Sequence, residues 1–230
     1  MDPELPVVRL CVAGMQAEAE GRAETARGLF QQAWDGARDD YEACIAAHYL
    51  ARHQDSPAET LRWNQECLDR ADRVGDERVR DFYPSLYVNI GNAHRELGQL
   101  AMAHRYFVRA AERAADAPEG QYGDWNRFAI AEGLRDTADA AAAEGDEEAG
   151  ARGGVAEGVE RPVRELFARW CERGDLKALG LVLPAYLGYL GTDEDRVRLR
   201  SALHMVHAAR WLPEGEQSLL EEAMGAFALR

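Results

Sequence analysis

Asn89, Asn92 and Arg95 stand three residues apart in the run Asn89-Ile90-Gly91-Asn92-Ala93-His94-Arg95. On a helix that spacing keeps them in one slowly drifting stripe. An asparagine amide can donate one hydrogen bond to a peptide unit and accept another from it. An arginine can hold a carboxylate through two parallel bonds. The stripe therefore has the chemistry to bind an extended peptide. His48 and Arg52, at i and i+4, offer a second polar pair on one helical face. The alternative is that all five are ordinary polar residues on a wet helix face, and spacing alone does not decide between the two.

Other residue types that could do chemistry lack the arrangement for it. The phosphate loop G-x-x-x-x-G-K-[ST] is absent, and Lys177 is the only lysine. Neither H-E-x-x-H nor G-x-S-x-G occurs. Gly150 to Gly154 is glycine-rich, but no strand precedes it, so a dinucleotide loop is not supported. His204 and His207 lie three apart, yet Arg200 and Trp211 occupy the flanking turns where further ligands would be needed. Glu147-Glu148 and Glu221-Glu222 are sequence neighbours, which diverge by about 100° on a helix and so cannot act as one acid–base dyad. The expectation is a chain with no catalytic residue, no metal and no cofactor. The alternative is an enzyme or a helical small-molecule-binding protein whose site is assembled from scattered residues.

These groups must be carried by helices. The chain has 230 residues, 47% apolar and 30% charged, which is a folded composition with room for a sizeable core or a stacked array. Helix formers dominate, and no segment alternates apolar and polar residues over strand length. A net charge of −14 leaves no electrostatic route to nonspecific nucleic-acid binding. Arg196, Arg198 and Arg200 would be spread around a helix, as solvated surface. No apolar run is long enough to span a bilayer, since Ala178 to Leu190 is short and holds Pro184. The start Met1-Asp2-Pro3-Glu4 is acidic where a signal peptide needs positive charge. Cys11, Cys44, Cys67 and Cys171 lack zinc spacing and read as buried small apolar residues in a reducing, cytoplasmic setting.

A repeat organises the first half. Gly14, Gly21, Ala26, Phe30 and Ala33 recur as Gly91, Gly98, Ala103, Phe107 and Ala110, each 77 positions on. Leu10 with Tyr87 and Ala17 with His94 keep the same offset. The distance suits two helix-pair units, with one degenerate unit between them. Gly21 and Gly98 would end a first helix in the left-handed region. Ala26 or Ala103 then allows close approach of the second helix, and the phenylalanine four residues on fills the gap. Between the copies, Tyr41 to His53 reads as one helix. Ser56 and Pro57 open the next, which stops at Gly75. Pro84 must start a new helix or kink one running from Glu77.

The pattern resembles the tetratricopeptide repeat, whose signature is W-x2-L-G-x2-Y followed by A-x3-F and P. Here it stands as Leu10-x2-Ala13-Gly14-x2-Ala17 with Ala26-x3-Phe30. The second copy is Tyr87-x2-Ile90-Gly91-x2-His94 with Ala103-x3-Phe107. Both copies lack the first tryptophan and a clear terminal proline. The resemblance covers Val7 to Ala115. It implies an α-solenoid of antiparallel helix pairs in a right-handed superhelix, whose first helices form a concave wall for extended peptides. By register, Asn89, Asn92 and Arg95 would face that groove, and His48 and Arg52 the matching face of the neighbouring unit. The family's lysine–asparagine clamp for C-terminal carboxylates is not supported, because Cys11 and Met15 stand there. Val8, Cys11, Val12 and Met15 would give an apolar half-groove, a contact with a second copy of the chain, or ordinary terminal-helix packing.

After Pro118 the repeat signature fades. A further helix is expected at 121–144, a mobile loop at 145–158, and helical hairpins at 160–230 that are decayed repeats or a capping bundle. Pro162 should open the first of these helices. The functional expectation is a protein- or peptide-binding scaffold, of the kind that serves as sensor or adaptor in bacterial regulatory systems.

Overall fold

A computed structural model of the chain describes residues 2–143 and 154–227, and among them every regular element is a helix. The chain divides into two compact units, 1–126 and 127–230.

In the first unit, α1 (Pro6–Ala19) and α2 (Ala23–Asp35) form a hairpin, as do α3 (Asp40–Ala51) with α4 (Pro57–Val74) and α5 (Tyr83–Glu96) with α6 (Leu100–Glu112). Successive hairpins pack through α2 on α3 and α4 on α5, with α1 also on α3. The middle pair is the degenerate unit expected between the two copies. It is longer than they are, and a 3-10 helix, Glu77–Phe82, intervenes before α5. Pro84 therefore sits in the first turn of α5, where its missing N–H costs nothing. Ser56 caps α4 by accepting from the Glu59 amide at 3.2 Å, and Gly75 ends it at φ 60°. Helix α3 is apolar almost all round, because α1, α2 and α4 enclose it.

The 77-residue offset holds at atomic level. The Arg22 amide donates to the Ala17 carbonyl at 2.8 Å, and the Gln99 amide to the His94 carbonyl at 2.9 Å. Gly21 donates to Glu18 at 2.9 Å and Gly98 to Arg95 at 3.0 Å, with φ of 74° and 73°. Each helix end is thus closed by the same pair of bonds around a left-handed glycine. Ala26, Phe30, Ala33, Ala103, Phe107 and Ala110 are all fully buried.

The second unit contains α8 (Glu157–Arg173), α9 (Leu176–Leu187), α10 (Asp193–Ala209) and α11 (Glu214–Ala226). Helix α7 (Gln121–Ala143) crosses the boundary between the units. Each of α8 to α11 packs on the next, and α11 closes back on α8, so these four helices share one core. Trp170 is buried there, and its indole N–H donates to Glu216 at 2.8 Å. Arg173 also binds that carboxylate and holds it below its usual range. Arg127 pairs with buried Asp195, which accepts from the Leu190 amide at 3.0 Å.

Three expectations change. Helix α8 starts at Glu157, and Pro162 lies inside it, because the extra turn buries Val159. Of the expected loop, 145–153 lies outside the described residues, while Val155 is buried. Cys171 is exposed, since its neighbour Trp170 takes the inward position. The other three cysteines are buried, and the Cys44 and Cys67 sulfurs lie 3.6 Å apart between α3 and α4.

Candidate functional site

Helix α5 is gripped on most sides. From Pro84 to Arg95 only three residues are not buried, and they are Asn89, Asn92 and Arg95. The stripe expected from spacing is thus the open edge of this helix. Gly91 and Ala93 lie on the packed side, as their size requires. Neither Asn89 nor Asn92 has a partner among the described residues. Arg95 differs, because its guanidinium lies 6.0 Å from the Phe107 ring centre and it is engaged within the protein.

The second expected pair divides in the same way. Arg52 donates to both oxygens of Glu18, at 2.8 and 3.0 Å, and His53 meets the same carboxylate at 2.9 Å. Arg52 therefore ties the first hairpin to the second. His48 instead lines a cavity of about 220 Å³. Burial, and less so the Arg52 charge, lowers its pKa to about 4, so the ring is neutral at physiological pH.

That cavity lies between the first helices α3 and α5. Ile45, His48 and Tyr49 come from α3, and Ser85 and Leu86 from α5. Asp81 and Phe82 of the 3-10 helix, with Pro118 and Tyr122, complete it. The Ser85 hydroxyl donates to the Phe82 carbonyl at 2.9 Å, so its proton is used. Asp81 is exposed and makes no hydrogen bond or ion pair among the described residues. Asn89 lies one helical turn beyond Ser85 and Leu86, so the open stripe starts beside the cavity.

The first-helix residues expected as an apolar wall mostly turn inward. Val8 and Cys11 are buried, Met15 is half-buried, and Val12 alone of the four stays more than half exposed. Burial pushes the Cys11 thiol up to about 12.

Elsewhere, several polar groups are committed to the fold. His207 meets Glu221 at 3.0 Å, whereas His204 points to solvent. Glu222 pairs with Arg161, so the adjacent carboxylates Glu221 and Glu222 serve different partners. Arg196 and Arg198 pair with Asp193 and Glu194 on their own helix. No three His, Cys, Asp or Glu side chains converge as metal ligands among the described residues. No helix among the described residues is long and apolar enough to cross a membrane.

Sequence reasoning missed the cavity. Its lining is drawn from residues 45 to 122, and no local stretch contains more than four of them. The only sequence signal was an aromatic residue and a carboxylate, Asp81-Phe82, set just before Pro84. In comparisons with known proteins, no family model, no curated protein and no solved structure matches this chain.

Proposed function

We propose that this chain is a peptide-binding helical-repeat scaffold of the tetratricopeptide type, in which α1, α3 and α5 form the inner wall of a right-handed superhelix. The observation that carries this reading is the open edge of α5. Asn89 and Asn92 are half-buried, lack side-chain partners among the described residues and lie on a first helix whose other sides are packed. Half-buried amides without protein partners are well placed to pair with a peptide backbone, which needs one donor and one acceptor per unit. The role fits a sensor or adaptor, in which partner recognition is the whole task.

The test is selection of a random-peptide library against the full chain, followed by hydrogen exchange with an enriched peptide bound. The expected result is an enriched sequence that slows exchange in α3 and α5. Failure to enrich any sequence, or protection confined to residues 157–226, would overturn the reading. A second reading, small-molecule binding, rests on one observation, the cavity beside His48.

A further inference from the structure

Three aromatic side chains, Tyr49, Phe82 and Tyr122, line the cavity between α3 and α5. Each is held by a stacked neighbour. Tyr49 stacks on Phe30 at 5.2 Å, Phe82 on Tyr41 at 6.4 Å and Tyr122 on Trp125 at 6.1 Å. Tyr49 and Phe82 are half-buried as well as stacked, so these two walls are pre-formed and a ligand need not order them on entry. Ile45, Leu86 and Pro118 add apolar surface.

The charges around this apolar space are uneven. Asp81 brings a carboxylate to the lining, where no Lys or Arg stands beside it, and Arg78, which shares a neighbouring hollow with Asp81, is bound to Asp76. His48 adds no positive charge at neutral pH. The Arg52 guanidinium is neutralised by Glu18. It lies 5.7 Å from the Tyr49 ring centre, so one of these rings already accepts a cation. Aromatic faces carry negative potential and attract ammonium and guanidinium groups, more strongly where water is partly excluded. An anion would meet the Asp81 charge, and a neutral ligand would leave it unused.

We infer that this cavity binds an organic cation, an ammonium or guanidinium group on an apolar stem, with the stem among Tyr49, Phe82 and Tyr122 and the charge beside Asp81. A volume of about 220 Å³ suits a stem the size of one side chain or a small aryl-alkyl amine. The cation can be a free amine or a basic side chain of a peptide lying along α5. Recognition of the charge does not depend on the peptide reading.

The test uses benzylamine, which is protonated at neutral pH, and benzyl alcohol as its neutral counterpart. Both are titrated into the full chain and followed by NMR, in wild type and in Asp81→Asn. The expected result is saturable shifts at His48, Tyr49 and Leu86, with the amine bound roughly tenfold more tightly than the alcohol. Asp81→Asn should bring the amine to the level of the alcohol while leaving the fold's spectrum intact. Equal affinity of the two probes, an unchanged amine affinity in Asp81→Asn, or shifts outside the cavity would overturn the proposal. Should Asp81→Asn fail to fold, Tyr122→Leu replaces it, because Tyr122 is exposed and its loss should weaken the amine but not the alcohol. n-Butylamine and a blocked Gly-Lys-Gly peptide then separate the sources. Tighter binding of the peptide marks a partner's side chain, and equal binding marks a free amine. A cavity that binds amines in a chain that enriches no peptide would keep this inference and discard the peptide reading.

Discussion

A Cβ atom placed on Gly91 would lie 2.9 Å from the Phe107 ring, nearer than packed atoms tolerate. The same relationship, tighter still at 2.2 Å, joins Gly14 to Phe30. In both outer hairpins the first helix offers a bare backbone to a phenylalanine on the second. That contact explains why glycine and phenylalanine recur together at the 77-residue offset.

Gly91→Ala should therefore destabilise the chain by about 1–3 kcal/mol, the range for overpacking a tight core site. Gly14→Ala should cost more, because its ring is closer. Gly28→Ala lies within α2 with nothing within 4 Å, and should gain about 0.5–1 kcal/mol from helix propensity. Urea denaturation of the three variants checks the order. Loss of stability in Gly28→Ala equal to that in Gly91→Ala would contradict the contact as its cause.

His48 should titrate far below an ordinary histidine. Its folded pKa is lowered from 6.5 to about 4, first by burial and then by the Arg52 charge. The unfolded chain takes up this proton first as pH falls, so the folded state loses stability from about pH 6.5 down to pH 4. His48→Asn should flatten that part of the stability–pH curve. A ring titration by NMR with a midpoint near 6.5 would refute the burial argument.

Thiol labelling should separate the cysteines. Cys171 is exposed, whereas Cys11, Cys44 and Cys67 are buried, and burial raises the pKa of Cys11 and Cys67. A disulfide reagent reacts with accessible thiolate. The native chain should show one fast thiol, abolished by Cys171→Ser, and the other three only on unfolding. Fast reaction of Cys44 or Cys67 in the folded chain would show that the α3–α4 core opens readily, and of Cys11 that α1 does.

What the sequence made legible follows from local rules. Gly21 and Gly98 had to end helices, Ser56 and Pro57 had to begin one, and the glycine–phenylalanine offset had to be a repeated helix pair. The stripe of Asn89, Asn92 and Arg95 was legible because helical spacing fixes which residues share a face. What stayed hidden depends on distant partners. The pairing of Arg52 with Glu18, far back in the chain, is not written in local spacing. Pro162 looked like a helix start, but burial of Val159 extends the helix ahead of it. The cavity could not be read from any one segment, because four elements build it.

The central claim is that the open edge of α5 binds a peptide. The most direct measurement is the affinity of an enriched peptide for the wild type and for Asn89→Ala, Asn92→Ala and the double variant, with thermal denaturation of each. Loss of one amide facing a desolvated peptide group should weaken binding by about 1–3 kcal/mol, with little loss of stability because neither amide bonds to another of the described residues. Unchanged affinity in the chain with Asn89, Asn92 and Arg95 all replaced would contradict the account.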